Sequence, residues 1–263
     1  DSGQGFQLDA IDSVVSLFSG WNSEISDANQ FVLEGNADEL FAEKAFGNSW
    51  GLAAETLLSN VRKVQSRKRM NSVGESSLIV PETMALPENF DGKLEDFSIE
   101  METGTGKTYV YLRTAIELYK NYNISKFVIV VPTVAIREGV VASLSLLRDH
   151  FAELYSEVQY DSYVYDSKNM SRLRQFSTTK HLQILVMNIQ AFSKDSTLIK
   201  RDSENLNGAK PIDLITAVRP VVIMDEPQKL DSKLQKEAIA DLNPLVRLRY
   251  SATHKDRHCL LFR

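Results

Sequence analysis

The chain has 263 residues, with 30 lysines and arginines against 35 aspartates and glutamates, a formal net charge of −5. At about 150 residues per domain this length gives roughly two domains or one enlarged one. A hydrophobic content of 43% and a charged content of 25% exclude wholesale disorder, collagen and coiled coil, and the mildly acidic balance argues against a protein that coats nucleic acid. A local basic groove stays open, because the field follows the charge distribution rather than its sum.

The single cysteine, Cys259, excludes an internal disulfide and a cysteine-based zinc site. That fits a reducing, cytoplasmic compartment. The best apolar run, Phe127 to Val131, is far short of the roughly 18 residues of a membrane span, so no membrane association is expected. No signal-peptide pattern is present. The sequence opens on Asp1 without a methionine and reads as trimmed, or cut from something longer.

In chain order, Leu8, Ile11, Val14, Val15 and Phe18 lie at helical spacing. Residues 21–90 show no clear strand pattern and read as short helices and loops, with a helix over about 38–60. A basic run, Arg62, Lys63, Arg67, Lys68 and Arg69, reads either as a solvated helix end or as a phosphate-contacting patch. From Phe97 onward strands and helices alternate. The pattern predicts a strand at 97–101, a helix at 107–122, a buried strand at 127–131 stopped by Pro132, and a helix over about 135–151. Further strands are expected at 159–165, 183–188, 221–224 and 246–250, with a polar loop over 193–210. Apolar strands alternating with helices predict an α/β fold whose parallel sheet is covered on both faces. In such sheets ligands bind at the carboxyl ends of the strands, where each polar motif falls.

The strongest motif is Glu102-Thr103-Gly104-Thr105-Gly106-Lys107-Thr108, between a predicted strand and a predicted helix. Glycines let backbone N–H groups approach an anion, and the helix amino end adds partial positive charge. Lys107 then reaches the β- and γ-phosphates of a nucleotide, and the Thr108 hydroxyl is a hard oxygen donor for Mg²⁺. One departure is Met101, where the general pattern has its first glycine. The second motif, Asp225-Glu226-Pro227-Gln228, ends the strand 221–224. One carboxylate there can support Mg²⁺ and the other can deprotonate an attacking water, in a phosphoryl-transfer chemistry carried by positioning and charge neutralisation.

The phosphate loop, the acidic strand end and Ser251-Ala252-Thr253 occur in the order of motifs I, II and III of superfamily 2 helicase-like ATPases, which the sequence resembles. Within that group it is similar to the restriction (Res) subunit of type III restriction–modification enzymes. The resemblance rests on Ile99 to Val110, on Val130 to Val140 as a motif Ia, on Asp-Glu-Pro-Gln as motif II, and on Met187-Asn188-Ile189-Gln190-Ala191-Phe192 as a further DNA-side motif. These segments cover about residues 97–255.

The resemblance implies a RecA-like P-loop NTPase domain, a mostly parallel sheet flanked by helices. It implies a division into an N-terminal, largely helical insertion at 1–95 and a motor core at 96–263. A second motor domain with its arginine fingers and a nuclease domain are absent from this stretch. The resemblance also implies roles. Thr103, Gly104, Thr105, Gly106, Lys107 and Thr108 bind ATP, and Lys107 is catalytic. Thr108 and Asp225 hold Mg²⁺, and Glu226 is the general base. Gln228, Ser251 and Thr253 relay the nucleotide state. Pro132, Thr133, Asn188 and Gln190 face double-stranded DNA. Phe6-Gln7 resembles the upstream glutamine motif, in which the Gln7 amide reads the edge of adenine; a plain surface glutamine is the other reading.

The activity so implied is an ATP-dependent DNA motor that drives site communication before cleavage by a separate nuclease domain, with a methyltransferase (modification) subunit as partner. Two other readings stand beside it: a superfamily 2 translocase of repair or phage defence, and a non-hydrolysing nucleotide-binding interaction domain. His254, His258, Cys259, Tyr163, Tyr165, Trp21 and Trp50 read as structural residues.

Overall fold

Strands that are apolar at every position need cover on both faces, and helices supply it here. A computed structural model of the chain describes residues 4–22, 30–32, 44–71, 96–194, 197–203, 210–252 and 259–262. In the N-terminal part, α1 (Gly5–Val15) runs into a 3₁₀ turn at Ser16–Phe18. Strand β1 (Gln30–Val32) pairs antiparallel with β2 (Lys44–Phe46), and α2 (Ala54–Asn71) follows.

The remainder alternates. Strand β3 (Asp96–Glu100) leads to α3 (Lys107–Tyr122), then β4 (Lys126–Val131), α4 (Val134–Leu146) and α5 (Arg148–Leu154). Next come β5 (Tyr160–Val164), α6 (Met170–Thr178), β6 (Leu182–Asn188) and α7 (Pro211–Ala217). The last elements are β7 (Val221–Asp225), α8 (Lys233–Ala240), β8 (Arg247–Ser251) and β9 (Cys259–Phe262).

Strands β3 to β9 form one seven-stranded sheet in the order β5-β6-β4-β7-β8-β3-β9, with every neighbouring pair parallel. All carboxyl ends therefore share one edge of the sheet. The pleat divides the core in two. Phe127, Ile129 and Val131 of β4 pack with Ala10, Val14, Leu57, Val61 and Ile116 from α1, α2 and α3. Val128 and Val130 point the other way, against Leu173 and Phe176 of α6, Ile215 of α7 and Ile239 of α8. Helices α1 and α2 thus belong to the same core as the sheet. Removing a side chain such as Phe127, fully buried in this layer, costs about 3–5 kcal/mol.

Helix α2 buries Leu57, Asn60, Val61 and Val64 and turns Arg62 and Lys63 to solvent, so the described basic residues lie on an exposed helix face. The Asn60 amide donates to the carbonyls of Leu17 and Ser19, at 2.9 and 2.8 Å, tying α2 to the end of α1. Gln65 donates to the Leu260 carbonyl at 3.0 Å, which covers part of edge strand β9.

The helix expected over 38–60 is corrected over 44–60; residues 38–43 lie outside the described residues. Residues 44–46 are a strand, and the helix begins at Ala54 and continues to Asn71. The reason is tertiary: residues 47–51 run close to other backbone. A Cβ on Gly47 would lie 2.9 Å from the Val218 Cα, and one on Gly51 2.8 Å from the Asn22 carbonyl oxygen. Between them Asn48, almost fully buried, clasps the amino end of the sheet. Its side-chain oxygen accepts from the N–H groups of Ser125 and Lys126, and its amide donates to the carbonyls of Lys126 and Arg219. The helix expected over 135–151 is two helices, meeting at Leu147. Cys259 is buried, and Trp21 stacks edge-on against Trp50.

Candidate functional site

Strand β3 ends at Glu100 and the chain turns through Gly104 and Gly106, both in the left-handed region at φ 82° and 87°. Gly106 caps α3, which starts on Lys107 with its amino end toward the turn. The left-handed conformation explains both glycines. Gly106 has a further reason. A Cβ there would lie 2.6 Å from the Gln7 side-chain nitrogen, which donates to the Thr105 carbonyl at 2.8 Å. Gln7 of α1 therefore sits on the phosphate loop although it is 98 residues away in sequence.

Lys107 leans back over the loop, 3.4 Å from the carbonyl oxygens of Met101 and Glu102, and its ammonium lies 3.3 Å from Glu226 Oε1. Glu226 reaches it from the end of β7, one strand beyond β8, which lies between β7 and β3. Glu226 is itself left-handed at φ 56°, a costly conformation for a non-glycine residue that turns consecutive carboxylates apart. Its backbone N–H donates to the Tyr250 carbonyl at 3.0 Å. Gln228 donates to the Glu226 carboxylate, and the Ser251 hydroxyl donates to Gln228 Oε1 at 2.6 Å. The N–H of Met101 donates to the Ser251 carbonyl at 2.8 Å. Lys107, Glu226, Gln228 and Ser251 thus form one continuous polar chain across three strand ends.

Asp225 is buried beneath this chain. Burial pushes its carboxyl up to about 6, and the neighbouring Glu226 charge adds to that; Lys107 and a hydrogen bond from Tyr111 pull the other way. The Tyr111 hydroxyl lies 3.4 Å from Asp225 Oδ2. Burial holds Tyr111 itself well above the usual tyrosine range. Hydroxyl and carboxylate oxygens are the donors Mg²⁺ takes, and Mg²⁺ commonly uses only one or two protein groups while keeping several waters. Thr108 and Asp225 fit that requirement. Among the described residues no cluster of three His, Cys, Asp or Glu makes an all-protein cage instead.

The DNA-side candidates lie at the same edge of the sheet, on β4 and β6. Gln190 donates to the Pro132 carbonyl at 2.9 Å, joining the two strand ends. Pro132 is buried, while Thr133 is exposed and caps α4 by accepting from the Ile136 N–H at 3.3 Å. The Asn188 side-chain oxygen is buried without a partner among the described residues. Thr253, His254 and His258 lie outside the described residues, as do the side chains of Lys68 and Arg69.

Two features escaped the sequence pattern. Tyr111 reads there only as an apolar helix position. A cavity of about 400 Å³ opens beside the loop, lined by Phe6, Met101, Thr105, Ala252 and Phe262 among others. The aromatic Phe6 ahead of Gln7 was its one sequence signal.

A seven-stranded parallel sheet with helices on both faces, a glycine turn opening a lysine-led helix and an acidic strand end across from it define a RecA-like P-loop NTPase domain. The family model described as "Type III restriction enzyme, res subunit" matches residues 61–256, more than half of the chain. The chain belongs to this family of type III restriction enzyme Res subunits. It is similar to the EcoP15I Res subunit of Escherichia coli, 27% identical over 95% of this chain and 25% of that protein. It is also similar to the StyLTI Res subunit of Salmonella typhimurium, 32% identical over 65% of this chain and 19% of that protein. The chain spans about a quarter or less of the length of these curated relatives. Among solved structures, the DUF1998 helicase MrfA bound to DNA aligns with 66% of this chain and 26% of its own, at 15% identity and a TM-score of 0.44. Among the described residues no helix is long and apolar enough to cross a membrane.

Proposed function

We propose that this chain is the first motor domain of a type III restriction endonuclease subunit, an ATP-dependent DNA motor. The observation that carries the reading is the Lys107–Glu226 pair. A phosphate-binding cation and a carboxylate fit to activate water meet at 3.3 Å from segments far apart in sequence. The loop from Thr103 to Gly106 offers backbone N–H groups to phosphate, and the amino end of α3 adds its field. On nucleotide entry Lys107 exchanges Glu226 for the β- and γ-phosphates. Glu226, released from the lysine and steered by Gln228, then accepts a proton from the attacking water. Thr108 and Asp225 hold Mg²⁺, which when bound neutralises developing charge on the phosphoryl oxygens.

Gln7 reads the adenine edge from beside the cavity that Phe6 and Phe262 line. Gln228 and Ser251, joined at 2.6 Å, relay the nucleotide state, with Thr253 continuing the relay. Thr133, Asn188 and Gln190 face the backbone of double-stranded DNA, and the carbonyl of the buried Pro132 accepts from Gln190 at the turn that presents Thr133. The work done is site communication along DNA, with cleavage left to a nuclease domain elsewhere in the protein and site recognition supplied by a methyltransferase subunit, in the cytoplasm. The division into an N-terminal insertion at 1–95 and a motor core at 96–263 belongs to the same proposal.

The test is ATP hydrolysis by the native full-length polypeptide, with and without duplex DNA and with and without the methyltransferase, using Lys107→Ala as the blank. Turnover that needs both DNA and partner is the expected result. DNA-stimulated turnover without any partner would assign a stand-alone translocase. No turnover above the blank would leave a nucleotide-binding interaction domain.

A further inference from the structure

We infer that Tyr111 is a positioning residue for the divalent-cation site, its phenol fixing the Asp225 carboxylate in the orientation that receives the ion. The inference rests on the nucleotide-site reading above. Tyr111 follows Thr108 by three residues and Lys107 by four, so all three side chains project from neighbouring positions of α3. Its ring is fully buried and packs edge-on against Tyr250, with centroids 5.5 Å apart and planes at 62°. Tyr250 is also fully buried, and its hydroxyl reaches Thr114 at 3.5 Å. Packing therefore holds the Tyr111 ring in place, and a phenylalanine fills nearly the same volume.

What phenylalanine lacks is the hydroxyl, which points at Asp225 Oδ2 at 3.4 Å. The Lys107 ammonium is engaged with Glu226 and with the carbonyls of Met101 and Glu102. The phenol is thus a side-chain donor committed to Asp225 from inside the core. It ties α3, the helix that carries Thr108, to the strand end that carries Asp225. Groups that orient the ligands of a metal typically change its affinity by 10–100-fold when removed.

The experiment compares wild type, Tyr111→Phe and Tyr250→Phe in the native full-length polypeptide. Binding of methylanthraniloyl-ATP is titrated with Mg²⁺ and also measured in EDTA, and hydrolysis is followed at saturating Mg²⁺. Tyr111→Phe is expected to raise the half-saturating Mg²⁺ concentration about 10-fold, with affinity in EDTA unchanged and turnover recovered as Mg²⁺ is raised. Tyr250→Phe removes a neighbouring buried hydroxyl that faces Thr114 and is expected to leave the Mg²⁺ dependence alone. An unchanged Mg²⁺ half-point in Tyr111→Phe would overturn the inference. So would an equal loss of affinity with and without Mg²⁺, since that is the mark of a purely structural role. If wild type itself shows no Mg²⁺-dependent nucleotide binding, the nucleotide reading fails and takes the inference with it. That result is recognised in the unmutated protein, before any variant is compared.

Discussion

The two ends of the sheet carry polar side chains of similar types and treat them in opposite ways. At the carboxyl end Lys107 makes three long contacts, 3.3 Å to a carboxylate and 3.4 Å to two carbonyls, in a partly open site. At the amino end Lys126 is wholly buried and donates to the carbonyls of Phe176 and Thr179 at the end of α6, with its backbone clasped by Asn48. Long contacts to an open site can be exchanged for a ligand at little cost. Buried groups that satisfy one another cannot, because an unpaired buried donor or acceptor costs about 1–3 kcal/mol. The same sheet thus keeps one edge for chemistry and uses the other to fasten its N-terminal region.

The comparison breaks most visibly at the chemical end. Glu226→Gln keeps the shape of the side chain and removes the base. Turnover should fall by about 10²- to 10⁴-fold while nucleotide still binds, read by steady-state hydrolysis beside equilibrium binding. Turnover near wild type would move the base elsewhere and end the role given to Glu226.

At the fastening end the expected loss is of stability and not of chemistry. Asn48→Ala strands two N–H groups and two carbonyls, whose bonds to Asn48 measure 2.8–3.1 Å. With water or small shifts satisfying some of them, about 3 kcal/mol should be lost. The urea midpoint reports it, and turnover per folded molecule should stay constant. A variant as stable as wild type would show that the clasp is incidental.

These two ends were unequally legible in the sequence. Lys107, Asp225 and Glu226 stand out because glycines and an apolar strand announce the turns that carry them, and the helix at 107–122 begins and ends where its apolar spacing predicts. Asn48 has no such local signal. All four of its partners lie at 125, 126 and 219, so its role exists only after the sheet has formed. The same physics displaced the helix expected over 38–60, since residues 47–51 are shaped by distant backbone rather than by propensity. Helix α7 has only seven residues, too few for apolar spacing to mark it, although Pro211 stands at its first turn and Asp213 completes its cap. Strand β9, at four residues, is too short for periodicity to separate strand from helix.

The amino end can be probed more finely through pH. Burial lowers the Lys126 ammonium to about 7, overcoming the helix-end carbonyls and the Phe176 ring that favour the charge. Unfolded, this lysine holds its proton up to its ordinary range near 10.5. Between those values the unfolded state binds more protons, so stability should rise with pH by up to about 1.4 kcal/mol per unit, and the contribution should level off below about 7. Lys126→Met should remove this slope from the urea midpoints measured between pH 7 and 9.5. Parallel profiles for the two proteins would mean that the carbonyls of Phe176 and Thr179 hold the charge on the buried ammonium up to its ordinary range.

The smallest expected effect separates two glycines of the one loop. Both Gly104 and Gly106 have positive φ, so an alanine at either costs about 1–2 kcal/mol of backbone strain. Beyond that they differ. A Cβ at 104 meets nothing within 4 Å, whereas one at 106 falls 2.6 Å from the Gln7 amide nitrogen. Gly106→Ala must therefore push Gln7 off the Thr105 carbonyl, and Gly104→Ala leaves it in place. If Gln7 reads the base, the two substitutions divide the site into its phosphate half and its base half. Gly104→Ala should weaken ATP and GTP binding alike. Gly106→Ala should also erode the preference for ATP over GTP, by about fivefold for the loss of a hydrogen bond of about 1 kcal/mol. Equal ATP-to-GTP affinity ratios in the two variants would make Gln7 a brace for the loop and not a reader of adenine.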